Sequence, residues 1–107
     1  MNTKNENISA REALKNVYEN TTFGEFVKAM RECDEVSQTD LAKKLKVSRQ
    51  FINAVEMGKS MISIQMSIRI ATALGYPHET FVKFYLNDML KKAGINKTVE
   101  LKEKNVA

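Results

Sequence analysis

Two short apolar-periodic stretches, 38–45 and 49–57, are separated by three residues, and each is preceded by a serine. A three-residue connection makes the two helices neighbours, and a helix-turn-helix joins its pair at a steep angle. Ser37 has Asp40 three positions on and can accept an amide proton at a helix start, and Ser48 repeats the arrangement for the second stretch. Gly58 is placed to end that stretch in a left-handed conformation.

Counted from Gln38, Ala42 stands fifth, where only a small side chain lets a second helix pack closely. Leu41, Leu45, Val47, Ile52 and Val55 supply the apolar positions that face a core, and Lys46 falls in the turn. The spacing is that of a helix-turn-helix, whose second helix can enter the major groove of double-stranded DNA. With Ile52 and Val55 facing inward, Arg49, Gln50 and Asn53 face outward, with Ala54 beside them. Arginine can bond guanine bidentately, and glutamine or asparagine can do the same with adenine. Phe51 either meets a thymine methyl or packs on a neighbouring helix. Gln38 and Ser48 open helices, where free amides and the positive helix end favour a phosphate. Lys59 follows the second helix within reach of the backbone, and the alternative for all the polar positions is ordinary solvation.

Charge points the same way. Residues 38–60 carry five cations (Lys43, Lys44, Lys46, Arg49, Lys59) against two anions (Asp40, Glu56), or +3 of the chain's net +4. Residues 1–22 balance at three of each. A local positive field attracts polyanions.

The rest of the chain reads as further helices, giving an all-α protein. Few glycines, one proline and many straight-chain residues suit that class. Ser9 with Glu12 has capping-box form and starts an expected amphipathic helix over 9–20. Thr22 with Glu25 starts another over 23–33, with Phe26, Val27, Met30 and Cys33 as its stripe, so Cys33 is expected in the core. Ser63 and Gly75 bracket a helix over 64–74, and Pro77 and Gly94 one over 77–93. The alternating tail 98–102 is either a short strand or disordered. The expected organisation is an N-terminal arm (1–22), a DNA-binding domain (23–94) and a C-terminal tail (95–107). In the last helix, Phe81, Val82, Phe84, Tyr85, Leu86, Met89 and Leu90 cover more than one stripe, and the surplus suits a homodimer reading two half-sites.

One cysteine forbids an intrachain disulfide, and no nucleophile–base set, metal-ligand cluster or phosphate-cradling loop is legible. His78 beside Glu79 suits a helix start better than an acid–base pair. The chain is expected to be a non-enzyme without cofactor or metal. No apolar run approaches membrane-spanning length, so a cytoplasmic location with no membrane partner is expected.

From Phe23 to Leu86 the chain resembles the five-helix DNA-binding domain of the lambdoid repressor and Cro-like (XRE) family. The resemblance is carried by Ser37–Ala42, Val47–Ile52, Glu56–Lys59 and Ala71–Gly75, and spans about three-fifths of the sequence. It implies that Gln38 supports a phosphate contact, that Arg49, Gln50, Asn53 and Ala54 face base edges, and that the region of Lys59 touches the backbone. It further implies a structural pairing of Arg31 with Glu56. The family's turn position is usually glycine; Lys46 here implies a cost of about 1 kcal/mol and a cation near the phosphates. The resemblance implies a dimeric, sequence-specific transcriptional repressor of phage type, or the HigA-type antitoxin of a toxin–antitoxin operon with a toxin protein as partner. The alternative is a protein-interaction module.

Overall fold

The computed structural model describes residues 17 and 19–104. The expected 9–20 helix lies almost wholly outside them; Val17, Glu19 and Asn20 are helical. Five helices follow: α1 (Phe23–Cys33), α2 (Gln38–Leu45), α3 (Arg49–Glu56), α4 (Ile64–Leu74) and α5 (His78–Lys92). No strand occurs among the described residues.

Capping chemistry sets the boundaries. At Thr22 both halves of the capping box form: the Glu25 amide donates to Thr22 Oγ1 at 3.1 Å, and the Thr22 amide to Glu25 Oε1 at 2.9 Å. These bonds hold the Glu25 carboxyl below its usual range, the Thr22 amide contributing most. Ser37, Ser48 and Ser63 each accept the amide three residues on. Gly75 ends α4 with φ of 80°. Pro77 is the residue before α5 rather than inside its first turn, and makes no side-chain cap.

Lys46 ends α2 at φ 58°, the left-handed conformation implied for the turn. Across this turn α2 and α4 each cap the other's end. Lys44 Nζ donates to the Ala73 carbonyl at 3.5 Å, and Arg69 Nη2 to the Leu45 carbonyl at 2.5 Å. Cations so placed satisfy carbonyls that have no partner within their own helix.

The core gathers Val27, Leu41, Leu45, Ile52, Val55 and Ile70 with a cluster of rings. Phe26 stacks on Phe84 with centroids 3.8 Å apart, and Phe81, fully buried, meets Phe23, Phe26 and Tyr76. This cluster fixes α5 across α1, beside the helix-turn-helix rather than in it.

Cys33 departs from expectation: it is exposed. The buried side of α1 turns toward Arg31 in its last turn, because the guanidinium has a carboxylate to meet there. An apolar stripe read alone could not show this, since the decisive partner, Glu56, lies 25 residues away.

The tail departs too. Residues 98–102 form neither a strand nor a free end. The Val99 amide donates to Asn87 Oδ1 at 2.7 Å, and Lys83 Nζ meets Glu100 Oε2 at 3.2 Å, so an irregular segment is fastened along α5.

Candidate nucleic-acid interface

Helix α3 is held from behind. Ile52 and Val55 are buried, and Glu56 with them. Gly24 of α1 touches the end of α3 so closely that a Cβ there would stand 2.3 Å from the Val55 carbonyl oxygen and 2.6 Å from that of Glu56. Only a residue without a side chain allows this approach. The Arg31 guanidinium completes the joint: Nε donates to Glu56 Oε2 at 2.7 Å, Nη2 to Oε1 at 3.0 Å, and Nη1 to the Val36 carbonyl at 2.8 Å. The Glu56 hydrogen bond raises the Arg31 pKa, against the opposing effect of burial. The implied Arg31–Glu56 pair is therefore present, buried and bidentate.

With that side fixed, the opposite face is free. Arg49, Gln50 and Asn53 are exposed, and Ala54 is half-buried beside them. Arg49 Nη1 donates to Gln38 Oε1 at 3.1 Å. Gln38 Nε2 donates to Asn53 Oδ1 at 3.2 Å and to Glu56 Oε1 at 3.0 Å. Asn53 Nδ2 lies 3.5 Å from Met57 Sδ. Gln38, half-buried at the first position of α2, thus joins two side chains of the outer face to the buried pair.

Ser48 is exposed and caps α3, its hydroxyl accepting from the Phe51 amide at 3.0 Å. Lys46 and Lys59 are exposed at the two ends of α3, with Lys43 and Lys44 exposed on α2. Lys46 and Lys59, next to the ends of α3, add positive charge beside the Arg49–Gln50–Asn53 face. Phe51 packs half-buried against the core. Of its two sequence readings the packing one matches its position.

Two features escaped the sequence reading. Gly24 carried only a capping pattern, with nothing to mark a close approach. Glu56 was legible as the partner of Arg31, but its bond to Gln38 was not, because only the steep angle between α2 and α3 brings them together. Met57 and Met61 are also exposed, Met61 almost fully, beside the α3–α4 connection. Among the described residues no group of three or more His, Cys, Asp or Glu is placed to hold a metal ion. No helix among them is long and apolar enough to cross a membrane.

Comparison with known proteins agrees with this geometry. The sequence profile described as helix-turn-helix matches residues 27–81, from α1 into the first turn of α5. An uncharacterized HTH-type transcriptional regulator of Methanocaldococcus jannaschii is 45% identical over 49 residues, covering 46% of this chain and 74% of that protein.

Proposed function

The chain belongs to the helix-turn-helix family of the XRE type, and on that premise we propose that it is a sequence-specific, double-stranded-DNA-binding transcriptional regulator that represses by occluding a promoter. The observation that carries the reading is the division of α3. Its inner side is locked by Ile52, Val55 and Glu56, while Arg49, Gln50 and Asn53 stand exposed on the outer side. In this reading α3 lies in the major groove. Lys46, Ser48, Lys59 and the start of α2 at Gln38 meet the phosphates on either side.

The operator is found by selecting duplexes from a random pool. Arg49→Ala should then weaken the selected duplex by roughly ten- to a hundred-fold while changing random DNA far less, the scale of one good base contact. Equal weakening on both would leave Arg49 a backbone contact only. Affinity should also fall steeply with salt.

A homodimer is the proposed working form. Along α5, Met89 is exposed and Val82, Leu86 and Leu90 are half-buried, an apolar margin outside the packed core. Sedimentation equilibrium at micromolar concentration tests it, and a monomer throughout would reject it. In an antitoxin the same margin or the N-terminal arm would serve a toxin protein. Co-purification of that partner without any selected duplex would favour the interaction-module reading. No catalytic role is proposed.

A further inference from the structure

We infer that the cleft between α5 and the tail is a binding site for a small organic anion, a molecule carrying a carboxylate or phosphate group. The inference does not rest on the DNA-binding reading and concerns another part of the molecule. The cleft encloses about 540 Å3 and is lined by Asn87 and Lys91 of α5, by Glu19, and by the chain from Gly94 to Thr98, which includes Lys97. That volume lies in the range of small-molecule sites and exceeds what a bare ion would fill. All these residues fall outside the span 27–81 that the helix-turn-helix profile matches. The site is therefore a property of this chain rather than of the shared domain.

Asn87 supplies the first argument. It is 4% exposed and lines the cleft. Its Oδ1 accepts from the Val99 amide at 2.7 Å, which fixes which end of the side-chain amide is which. The other end, Nδ2, carries two hydrogens and meets no protein group. A buried donor left in this way is unfavourable, and an acceptor oxygen seated against Asn87 would relieve it.

Charge supplies the second. Lys97 forms no ion pair among the described residues, and its side chain is exposed on the tail. Lys91 Nζ makes only a long bond of 3.4 Å to the Glu19 carbonyl and stands 4.0 Å from Asp88 Oδ1. Asp88 does not need it, because Lys92 Nζ meets Oδ2 of the same carboxylate at 3.0 Å. Two cations with donors to spare thus line the cleft, against the single carboxylate of Glu19. The end of a helix ordinarily repels anions. Here the last carbonyls are closed off, the Gly94 amide bonding that of Lys91 at 3.0 Å and the Ile95 amide that of Leu90 at 2.9 Å. Donors stand on both walls, Asn87 and Lys91 on the helix and Lys97 on the tail, so an anion between them would bridge the two.

The test is a nuclear magnetic resonance titration of the full, DNA-free chain with citrate, succinate, ribose 5-phosphate and inorganic phosphate. At least one organic probe should give saturable shifts at the Asn87 side-chain amide and at backbone amides 94–99, and should slow solvent exchange of the amides of Lys97 and Val99. A carboxylate response without a ribose 5-phosphate response, or the reverse, assigns the anionic group. Lys97→Gln, an exposed change that leaves the fold intact, should weaken that probe about ten-fold, the scale of one charge-assisted hydrogen bond. Asn87→Asp keeps an acceptor for the Val99 amide and puts oxygen where the donor stood, so binding should be lost; should that variant fail to fold, Lys97→Gln decides alone. No saturable response to any probe overturns the inference. An equal response to inorganic phosphate also overturns it, as an adventitious ion only. Binding that Lys97→Gln leaves unchanged places the anion elsewhere and overturns it too.

Discussion

The α2–α3 pair and the α5 helix with its tail handle polar groups in opposite ways. On α2 and α3 exposed and half-buried polar side chains are joined to one another and to the buried Glu56, Gln38 alone bonding Arg49, Asn53 and Glu56. On α5 two polar side chains, Asn87 and Asp88, are buried and incompletely matched. Asn87 and Asp88 are each 4% exposed. Asn87 Nδ2 and Asp88 Oδ1 have no hydrogen-bond partner, Lys91 Nζ standing 4.0 Å from the latter. Burying such atoms costs free energy that the surrounding rings must offset. One region spends its polar groups on an outward-facing arrangement. The other carries them as a cost inside the part that holds the domain together.

Stability and binding should therefore separate along this division, and mutations can break or sharpen it. The largest effect is expected from Phe81→Ala. Phe81 is fully buried at the centre of the ring cluster, and its truncation should cost about 3–5 kcal/mol, read by urea or thermal unfolding. Folded variant, saturated at low temperature, should keep the unaltered protein's preference among duplexes. A changed preference would mean that α5 takes part in reading.

Gly24→Ala comes next, at about 3 kcal/mol, because the obstructing atoms are backbone oxygens of α3 and cannot swing aside. Unlike Phe81→Ala it should also disturb binding in whatever folds, since it pushes α3, the proposed reading helix, away from α1. A variant as stable as the parent would show that α3 can shift at little cost.

Lys46→Gly should act in opposite directions on the two properties. Relief of a left-handed lysine should stabilise the fold by about 1 kcal/mol. Loss of the cation should weaken binding and reduce the salt slope by about one phosphate contact. An unchanged slope would place Lys46 away from the DNA.

The smallest effect concerns pH. Glu25 has a lowered folded pKa, so its capping box contributes stability above the ordinary carboxylate range. That contribution is lost as pH falls through the lowered value. Urea unfolding of the parent and of Glu25→Gln should differ at neutral pH and converge in strong acid. A constant gap would remove the carboxylate from the account.

The boundaries of the helices were legible because their causes are local. Thr22, Ser37, Ser48 and Ser63 each act on an amide three residues away, and Gly58 and Gly75 adopt the left-handed conformation where the chain must turn. The outward positions of α3 were legible for the same reason, as helix geometry relates them to Ile52 and Val55. What the sequence hid depends on partners distant in the chain. Cys33 was expected inside because its stripe is apolar, but Arg31 took the buried position through a carboxylate 25 residues on. The docking of the tail depends on Asn87, a polar residue that nothing nearby marks as buried. Asn53 could be placed on the outer face, but which end of its amide points outward could not be read without Gln38 and Glu56.

The contact between Gly24 and the α3 carbonyls has one more consequence, for how such a protein can change its target. At this contact α3 is seated backbone against backbone, and no side chain of the outer face enters it. In the proposed reading, residues 49, 50 and 53 are thus interchangeable letters on a fixed stem. On that reading, new target sequences would be acquired by replacing them, without re-engineering the joint that aims the helix. Replacements that keep an acceptor at 53 would also leave Gln38 and its neighbours undisturbed, so the vocabulary is widest at position 50, the one exposed reader outside the network.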